Sequence, residues 1–336
     1  MSVGVIAPNA LTSAIPAMLE CAQTLSMRTS KMQRRYITVD VFTDKAFGGN
    51  PLAVVLDAGG LSTAQMQAIA TEFNYSETTF VLPPQDKAND AQVRIFTMRS
   101  EIPFAGHPNV GTAFVLATRA PQAPARLRFE EKAGLVPVEI LSEGGKVIGA
   151  ELTAPQPLQR TTEVSAAEVA ACLSLSADDV KTDRHVPQLA SVGLPFLVVE
   201  IASREALRRA KPDAAAFARA LAQIGRDSVY FYTRDVPASE QPLDLQARML
   251  HPGASGMSED PATGSATAAA AALLADLDRA RDGELRLRIG QGVDMGRPSL
   301  LLTRVKKQAG AIASVHVGGG CVKMMEGTLQ VAGEGG

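Results

Sequence analysis

Two polar turns of this 336-residue chain lead directly into apolar segments that are predicted to be helices. The first turn, at Gly106 and His107, opens the segment 104–117, and the second, at Gly264 and Ser265, opens a run of small apolar residues. The first N–H groups of a helix have no partner within it and lie at the positive end of its dipole. A carboxylate or a developing oxyanion is therefore a natural ligand at both turns.

Three side chains could supply acid–base chemistry beside such an anion site. Glu77 precedes an apolar predicted strand, where its carboxylate would be partly buried, and His107 and Asp260 stand at the two turns. Removal of a proton next to a carboxylate requires a base in a dry cleft whose pKa has moved toward the working pH. Simpler interpretations stay open: Glu77 as a solvated strand-edge residue, His107 and Asp260 as helix caps, and Gly264 and Ser265 as positions that allow close packing.

The order of predicted elements before the first turn returns before the second. In each part a turn and a strand are followed by a helix, a further strand and a last strand that leads to the helix turn. These elements are predicted at 37–42, 52–56, 62–73, 76–82 and 93–97, and again at 196–201, 213–224, 228–232 and 247–252. Closing strands are predicted at 285–290, 299–305, 313–317 and 329–331, with a turn at 318–320. The repetition predicts two related halves, each with strands around one apolar helix, and both helix N-termini at the cleft between the halves.

The length of the chain predicts two domains. The first half is expected at 36–155 and the second at 156–310, and the C-terminal strands at 311–333 could complete the first half. Residues 1–35 form an extension with no assigned function, and they make a poor signal peptide because their basic residues follow the apolar stretch instead of preceding it. A transit peptide, a flexible extension and an upstream start codon fit this segment equally well.

Composition excludes several classes of partner. The net charge is −2 without a large basic block, which argues against nucleic acid, and no apolar run reaches the roughly 18 residues that span a bilayer. The three cysteines, Cys21, Cys172 and Cys321, are far apart and odd in number, which predicts reduced thiols in a cytoplasmic protein. The four histidines are scattered singly, so no metal site is predicted.

Five motifs, in this order, resemble the phenazine-biosynthesis isomerase (PhzF-like) family, within the diaminopimelate-epimerase-like fold. The resemblance runs from about Tyr36 to Val331. It is carried by Asp40-Val41-Phe42-Thr43 with Gly49-Asn50-Pro51-Leu52-Ala53-Val54, by Ser76-Glu77-Thr78-Thr79-Phe80, by Phe104-Ala105-Gly106-His107-Pro108, by Glu259-Asp260-Pro261-Ala262-Thr263-Gly264-Ser265-Ala266, and by Gln291-Gly292 followed by Met295-Gly296-Arg297-Pro298-Ser299. The resemblance implies an α+β fold of two pseudo-symmetric halves, each a mainly antiparallel barrel around a central helix, a site between them that needs no cofactor, and a homodimer.

The same resemblance implies roles for the candidate residues. Glu77 falls on the family's catalytic glutamate, and His107 and Asp260 fall on positions that support proton transfer to and from polar groups of the substrate. Three further residues fall on the helix positions that bind the substrate carboxylate or its oxyanion: Gly106, Gly264 and Ser265. The named family reaction is the isomerisation of trans-2,3-dihydro-3-hydroxyanthranilate.

Three departures from the family pattern bear on the substrate. Met98 and Arg99 replace the more usual Thr-Pro, Asn109 stands where Thr is usual, and residues 1–35 have no counterpart. The acid–base residues are intact, so the expected ligand is a small carboxylate whose identity the sequence leaves open.

Other function classes stand beside the isomerase. An epimerase of a different small acid that uses the same acid–base carboxylate stays open, whereas one that uses paired cysteines is disfavoured because neither helix turn contains or adjoins a cysteine. A carboxylate-binding protein without turnover would not need Glu77, His107 and Asp260 together. A nicotinamide or flavin enzyme is disfavoured because no Gly-x-Gly-x-x-Gly motif follows a strand and opens a helix.

Overall fold

A computed structural model describes residues 32–240, 242–252 and 259–331 of the chain. Its helices are α1 (Thr63–Phe73), α2 (Gly106–Arg119), α3 (Ala166–Cys172), α4 (Arg204–Arg209), α5 (Ala214–Ala220) and α6 (Gly264–Leu277). The strands up to residue 163 are β1 (Met32–Val41), β2 (Asn50–Val55), β3 (Glu77–Leu82), β4 (Ala91–Thr97), β5 (Glu101–Ile102), β6 (Arg126–Glu131), β7 (Gly134–Glu143), β8 (Lys146–Thr153) and β9 (Gln159–Glu163). The later strands are β10 (Val180–Lys181), β11 (Gln188–Ser191), β12 (Pro195–Ile201), β13 (Val229–Thr233), β14 (Leu245–Leu250), β15 (Glu259–Asp260), β16 (Gly283–Gln291), β17 (Ser299–Gln308) and β18 (Ala311–Val331).

A closed ring of strands surrounds helix α2. The pairings run β1–β2–β3–β4–β6–β7–β8–β18 and return from β18 to β1, and all are antiparallel except β2–β3 and β4–β6. Helix α2 packs against β1, β2, β7, β8 and β18, and most of its residues are buried. A helix that is apolar on nearly every side fits this position because each side faces strand side chains.

Helix α6 lies against a second run of paired strands. The pairings run β9–β11–β12–β13–β14–β16–β17–β18, again mostly antiparallel, and α6 packs against β11, β12, β16, β17 and β18. Its buried residues are mainly alanines, so the helix is thin and the strands can lie close to its axis. The structure is thus a mixed α/β fold with barrel-like strand arrangements, as predicted. The assignment of residue ranges to two domains stays a prediction.

The turn predicted at 318–320 is wrong. Gly318, Gly319 and Gly320 lie inside the continuous strand β18, where all three pair with β8 and Gly318 also pairs with β17. A Cβ atom on Gly318 would lie 2.5 Å from the carbonyl oxygen of Ala150. The glycines therefore allow neighbouring backbones to approach closely, which is the other common use of glycine in a strand.

Several local predictions agree with the structure. Ser62 caps helix α1 in a capping box with Gln65. One boundary differs: strand β1 begins at Met32, four residues before the predicted start of the fold at residue 36, because residues 32–35 also pair with strand β18. Residues 1–31 lie outside the described residues. Cys172 and Cys321 are free and buried, whereas Cys21 lies outside the described residues. Among the described helices, none is both long and apolar enough to cross a bilayer.

Candidate active site

The N-termini of helices α2 and α6 meet at a cleft of about 420 Å³. A Cβ atom on Gly106 would lie 3.2 Å from the backbone nitrogen of Ser265 and 3.4 Å from the Cα atom of Gly264. Glycine at these positions therefore allows the two helix ends to touch. Six residues predicted for the site all line the cleft: Glu77, Gly106, His107, Asp260, Gly264 and Ser265.

Neither helix end is capped by its own N-cap side chain. The N-cap residues are Ala105 for α2 and Thr263 for α6, and neither side chain accepts a hydrogen bond from its helix. The N–H groups of the first turns and the positive ends of two helix dipoles thus converge on one cavity. An anionic group such as a carboxylate is the ligand that this arrangement favours.

Glu77 is the first residue of β3, and its side chain enters the cleft. Its Oε2 atom is buried without a hydrogen-bond partner and lies 3.4 Å from Nε2 of His107, which also lacks one. Burial, and to a lesser degree the charge of Asp260, raises the pKa of Glu77 from 4.5 to about 8. A carboxyl group with this pKa can take up and release a proton near neutral pH.

His107 lies inside the first turn of α2, so the alternative interpretation of this residue as a helix cap is wrong. The helix begins one residue earlier, and the buried imidazole instead faces the Glu77 carboxyl. Burial lowers the pKa of His107 to about 3. The ring is therefore neutral at pH 7, and Nε2 can donate or accept a hydrogen bond with Glu77 or with a ligand.

Asp260 lies on β15 and does not cap α6, because Thr263 is the N-cap residue. The alternative interpretation of Asp260 as a helix cap is therefore wrong. Its carboxylate accepts hydrogen bonds from Thr263 Oγ1 and, at 2.9 Å, from Asn50 Nδ2. Burial raises the pKa of Asp260 to about 6, while the bonds from Thr263 and Asn50 oppose this increase. Asp260 is thus held in place by polar partners and stays a weaker acid than a solvated aspartate.

The residues that hold Asp260 were not assigned a role from the sequence. Gln291 donates from Nε2 to the Asp260 carbonyl oxygen at 2.9 Å and to Thr263 Oγ1 at 3.0 Å, and its Oε1 accepts from the Thr263 N–H at 3.1 Å. Asn50 and Gln291 are both fully buried. Both lie within motifs that carry the family resemblance. Only their burial and their hydrogen bonds show that they hold Asp260 in place.

Three further residues that line the cleft were not predicted: Asp227, Ser228 and His251. Burial lowers the pKa of His251, and the charge of Asp227 opposes this effect. Single polar residues at strand ends, without a recognisable spacing, carry little signal in a sequence.

Metal and thiol chemistry find no support among the candidate residues. In the described part of the chain, no group of three or more His, Cys, Asp and Glu side chains is arranged to hold a metal ion. Cys172 and Cys321 are buried away from the residues that line the cleft. The cleft thus offers carboxyl, imidazole and hydroxyl groups and backbone N–H groups.

Comparison with known proteins assigns the chain to a family. A family model described as phenazine biosynthesis-like protein (PhzC-PhzF) matches residues 39–327. The chain is 39% identical to an uncharacterized isomerase of Mesorhizobium japonicum over 88% of this chain and 98% of that protein. It is 36% identical to a trans-2,3-dihydro-3-hydroxyanthranilate isomerase of Pseudomonas chlororaphis over the same shares of the two chains.

A solved structure gives the same result. The crystal structure of a PhzF-family phenazine biosynthesis protein of Bacillus anthracis matches with a TM-score of 0.79 and 26% identity. The match covers 89% of this chain and 100% of the solved chain. The family model, the relatives and the fold agree, and this chain therefore belongs to the phenazine biosynthesis-like (PhzC-PhzF) family and is an isomerase.

Proposed function

We propose that the enzyme moves a proton between two carbons of a small carboxylate substrate, with Glu77 as the acid–base group. The reaction class is that of trans-2,3-dihydro-3-hydroxyanthranilate isomerase, the name given to the Pseudomonas chlororaphis relative. The observation that carries the proposal is the buried pair of Glu77 Oε2 and His107 Nε2, 3.4 Å apart, each without a hydrogen-bond partner. Buried polar atoms are rarely unpartnered, and those that are need an explanation such as a bound substrate.

The reaction has two steps in which the same carboxyl group acts first as base and then as acid. The Glu77 carboxylate takes a proton from a carbon atom of the substrate, and the electron pair of that C–H bond spreads along the conjugated system. Protonated Glu77 then returns the proton to another carbon atom, so no net proton is gained or lost. A pKa of Glu77 near 8 suits both steps, because neither protonation state is far in energy from the other at neutral pH.

The other cleft residues hold the substrate and its developing charge. The first N–H groups of α2 and α6, at Gly106, Gly264 and Ser265, bind the carboxylate and the enolate-like charge that forms on it. Neutral His107 and hydrogen-bonded Asp260 exchange protons or hydrogen bonds with polar groups of the substrate. No step calls for a metal ion or an organic cofactor.

We further infer the larger organisation that the family resemblance implies. The ring of strands around α2 and the run of strands against α6 belong to two pseudo-symmetric halves, 36–155 and 156–310, and the C-terminal strands complete the first half. The enzyme is a cytoplasmic homodimer. Supporting observations are the similar order of elements before each helix and the free cysteines Cys172 and Cys321. Size-exclusion chromatography with light scattering tests the dimer.

The proposed reaction is tested by solvent deuterium exchange. The natural enzyme and Glu77→Gln are incubated in D₂O with a panel of cyclic and acyclic carboxylates that includes trans-2,3-dihydro-3-hydroxyanthranilate, and NMR follows exchange and isomerisation. Gln keeps the size and shape of Glu but cannot act as a base. We expect at least one compound to be converted by the natural enzyme, with loss of about 10²- to 10⁴-fold in the variant.

The other outcomes separate the alternatives. If compounds bind equally to both proteins without exchange, a binding function replaces the enzyme. If an acid is inverted at one carbon and its double bonds stay in place, the activity is an epimerase. Full activity of Glu77→Gln contradicts the assignment of the base.

A further inference from the structure

A buried ion pair stands directly behind Asp260. Arg248 of β14 binds Glu259 of β15 through two parallel contacts, Nε to Oε1 at 2.9 Å and Nη2 to Oε2 at 2.8 Å. Both side chains are about 90% buried, with 9% and 10% exposed. The third guanidinium nitrogen, Nη1, donates to backbone oxygens at the end of α4, namely those of Leu207, Arg208 and Ala210. The strand that carries Asp260 is thereby tied to a helix on the far side of β14.

The other part of the chain has the same pair at the equivalent register. Arg94 of β4 binds Glu101 of β5, Nε to Oε1 at 2.8 Å and Nη2 to Oε2 at 2.7 Å. In the strand ladders Glu101 pairs with Phe96 and Glu259 pairs with Leu250, so each arginine lies two residues before the strand partner of its glutamate. We name these pairs the first clamp (Arg94 with Glu101) and the second clamp (Arg248 with Glu259).

Each clamp fixes the chain shortly before a helix end that forms the cleft. After Glu101 the chain reaches Gly106 at the start of α2, and after Glu259 it reaches Gly264 at the start of α6. The clamps differ in the next residue, which is the apolar Ile102 in the first clamp and Asp260 in the second. Only the second clamp therefore places charges next to an acidic residue of the cleft.

Burial of an ion pair is a weak source of stability, because desolvation of both charges offsets their attraction. Such a pair does determine geometry, since its two parallel hydrogen bonds fix both distance and orientation. Glu259 adds its negative charge beside Asp260, and Arg248 neutralises that charge at short range.

We propose that Arg248 and Glu259 are positioning residues that hold Asp260 in the cleft and set its ionisation through their paired charges. The inference rests on the proposed function only in giving Asp260 a part in the reaction. The contacts themselves are independent of that role. The first clamp performs the mechanical part of this task for the other helix end and has no effect on the ionisation of Asp260.

Other titratable and charged groups lie near Asp260, and a titration must distinguish its ionisation from theirs. Titratable groups that line the cleft with Asp260 are Glu77, His107, Asp227 and His251. Behind it lie Glu259 on the same strand and Arg248 on β14. Substitutions of Arg248 or Glu259, in the second clamp, leave all four of these cleft side chains unchanged.

The test is a direct titration of Asp260. Protein labelled with ¹³C at the aspartate side-chain carboxyls is titrated by NMR, and the resonance of Asp260 is identified by its loss in Asp260→Asn. Glu259→Gln removes a neighbouring negative charge and leaves Arg248, so we expect the pKa of Asp260 to fall by about 0.5 unit or more. Arg248→Met leaves the Glu259 charge unpaired, so we expect the pKa to rise. Arg248→Lys restores the charge without both hydrogen bonds, and the pKa should return toward its natural value.

Glu101→Gln is the matched control, because it breaks the first clamp beside an apolar residue. We expect it to lower the melting temperature as Glu259→Gln does and to leave the Asp260 titration unchanged. Identical Asp260 titrations in Glu259→Gln and the natural protein overturn the inference, as does a shift of equal size in Glu101→Gln. If Arg248→Met does not fold, Glu259→Gln and Arg248→Lys decide the question.

The titration needs no turnover, so it separates this inference from the proposed function. A protein that shows the titration shifts but converts no compound supports the clamp and contradicts the reaction.

Discussion

Asn50 donates a hydrogen bond from Nδ2 to Oδ1 of Asp260 at 2.9 Å, although the two residues are 210 positions apart in the chain. The same amide nitrogen donates to the carbonyl oxygen of Ala262 at 3.0 Å, and Asn50 Oδ1 accepts from Ser76 Oγ at 3.4 Å. One buried amide thus joins the segment that carries Asp260 to the residue that precedes Glu77. The spacing of the cleft acids depends on this connection.

Asn50→Ala should weaken catalysis more than it weakens folding. Loss of the donor removes a hydrogen bond that lowers the pKa of Asp260, so that pKa rises and the carboxylate loses its orientation. We expect kcat/KM to fall about 10-fold, in line with the roughly 1.5 to 3 kcal/mol of a hydrogen bond to a charged group. Asn89→Ala is the control, because Asn89 makes the same kind of bond to Glu130 away from the cleft. Equal loss of activity in both variants contradicts the role of Asn50.

The pH dependence of kcat/KM should report the raised pKa of Glu77. Since the base form is the carboxylate, activity rises as pH increases through a midpoint near 8, well above the ordinary value of 4.5. Asp260→Asn removes a negative charge that disfavours ionisation of Glu77, so we expect the midpoint to fall. Steady-state rates from pH 5 to 10 measure both proteins. A midpoint near 4.5 in the natural enzyme speaks against a buried base.

Gly106→Ala should reduce carboxylate affinity by crowding the junction of the two helices. The added Cβ atom would lie 3.2 Å from the Ser265 backbone nitrogen, close enough to move an N–H group that binds the anion. We expect KM to rise about 10-fold, which corresponds to about 1.4 kcal/mol. Thr118→Ala, at the exposed end of the same helix, is the control and should leave KM unchanged. An unchanged KM in Gly106→Ala means that the helix ends do not bind the carboxylate.

Glu131 should make the folded state less stable as pH rises. Burial raises its pKa to about 8, although the side chain of Asn109 opposes this increase. The folded protein therefore binds more protons than the unfolded chain between about pH 4.5 and 8, and the free energy of unfolding falls across this window. We expect Glu131→Gln to reduce this dependence and to be more stable than the natural protein at pH 8.5, measured by urea unfolding.

The neighbouring Glu130 is the control, because its pKa is shifted in the opposite direction. Hydrogen bonds, first from Asn89 and then from the backbone of Gln85 and Asp86, lower the pKa of Glu130. Its contribution to stability is present above its ordinary pKa and is lost as pH falls. Glu130→Gln should therefore flatten the acid side of the stability profile, and a flattened alkaline side in that variant would contradict the assignment.

Much of this site was predictable from local sequence. The sequence predicts a turn into an apolar helix at Gly106 and at Gly264, and the two helices begin at these residues. Ser62 was likewise recognisable as a cap, because a capping box involves residues only three positions apart. Glu77, His107 and Asp260 were recognisable as candidates, and the structure brings all three to one cleft. Their catalytic roles stay predictions.

The errors arose where one local pattern allows two uses. Asp260 has the side chain of a helix cap, but Asn50 and Thr263 bind its carboxylate on a separate strand. The glycines at 318–320 suit a turn as well as a strand. They form a strand because the backbones of β8 and β17 approach them closely. One deciding neighbour in each case, Asn50 for Asp260 and strand β8 for the glycines, lies far away in the chain.

The sequence by itself determined the helix ends, the chemical types of the cleft residues and the family. Tertiary structure alone decided that Glu77 and His107 lie 3.4 Å apart without other partners, and that Arg248 and Glu259 stand behind Asp260. The physical reason is the distance along the chain over which each effect acts. Backbone preferences and caps act over a few residues, whereas burial, desolvation and charge pairing depend on which strands pack together, and these effects set the pKa values on which the proposed reaction depends.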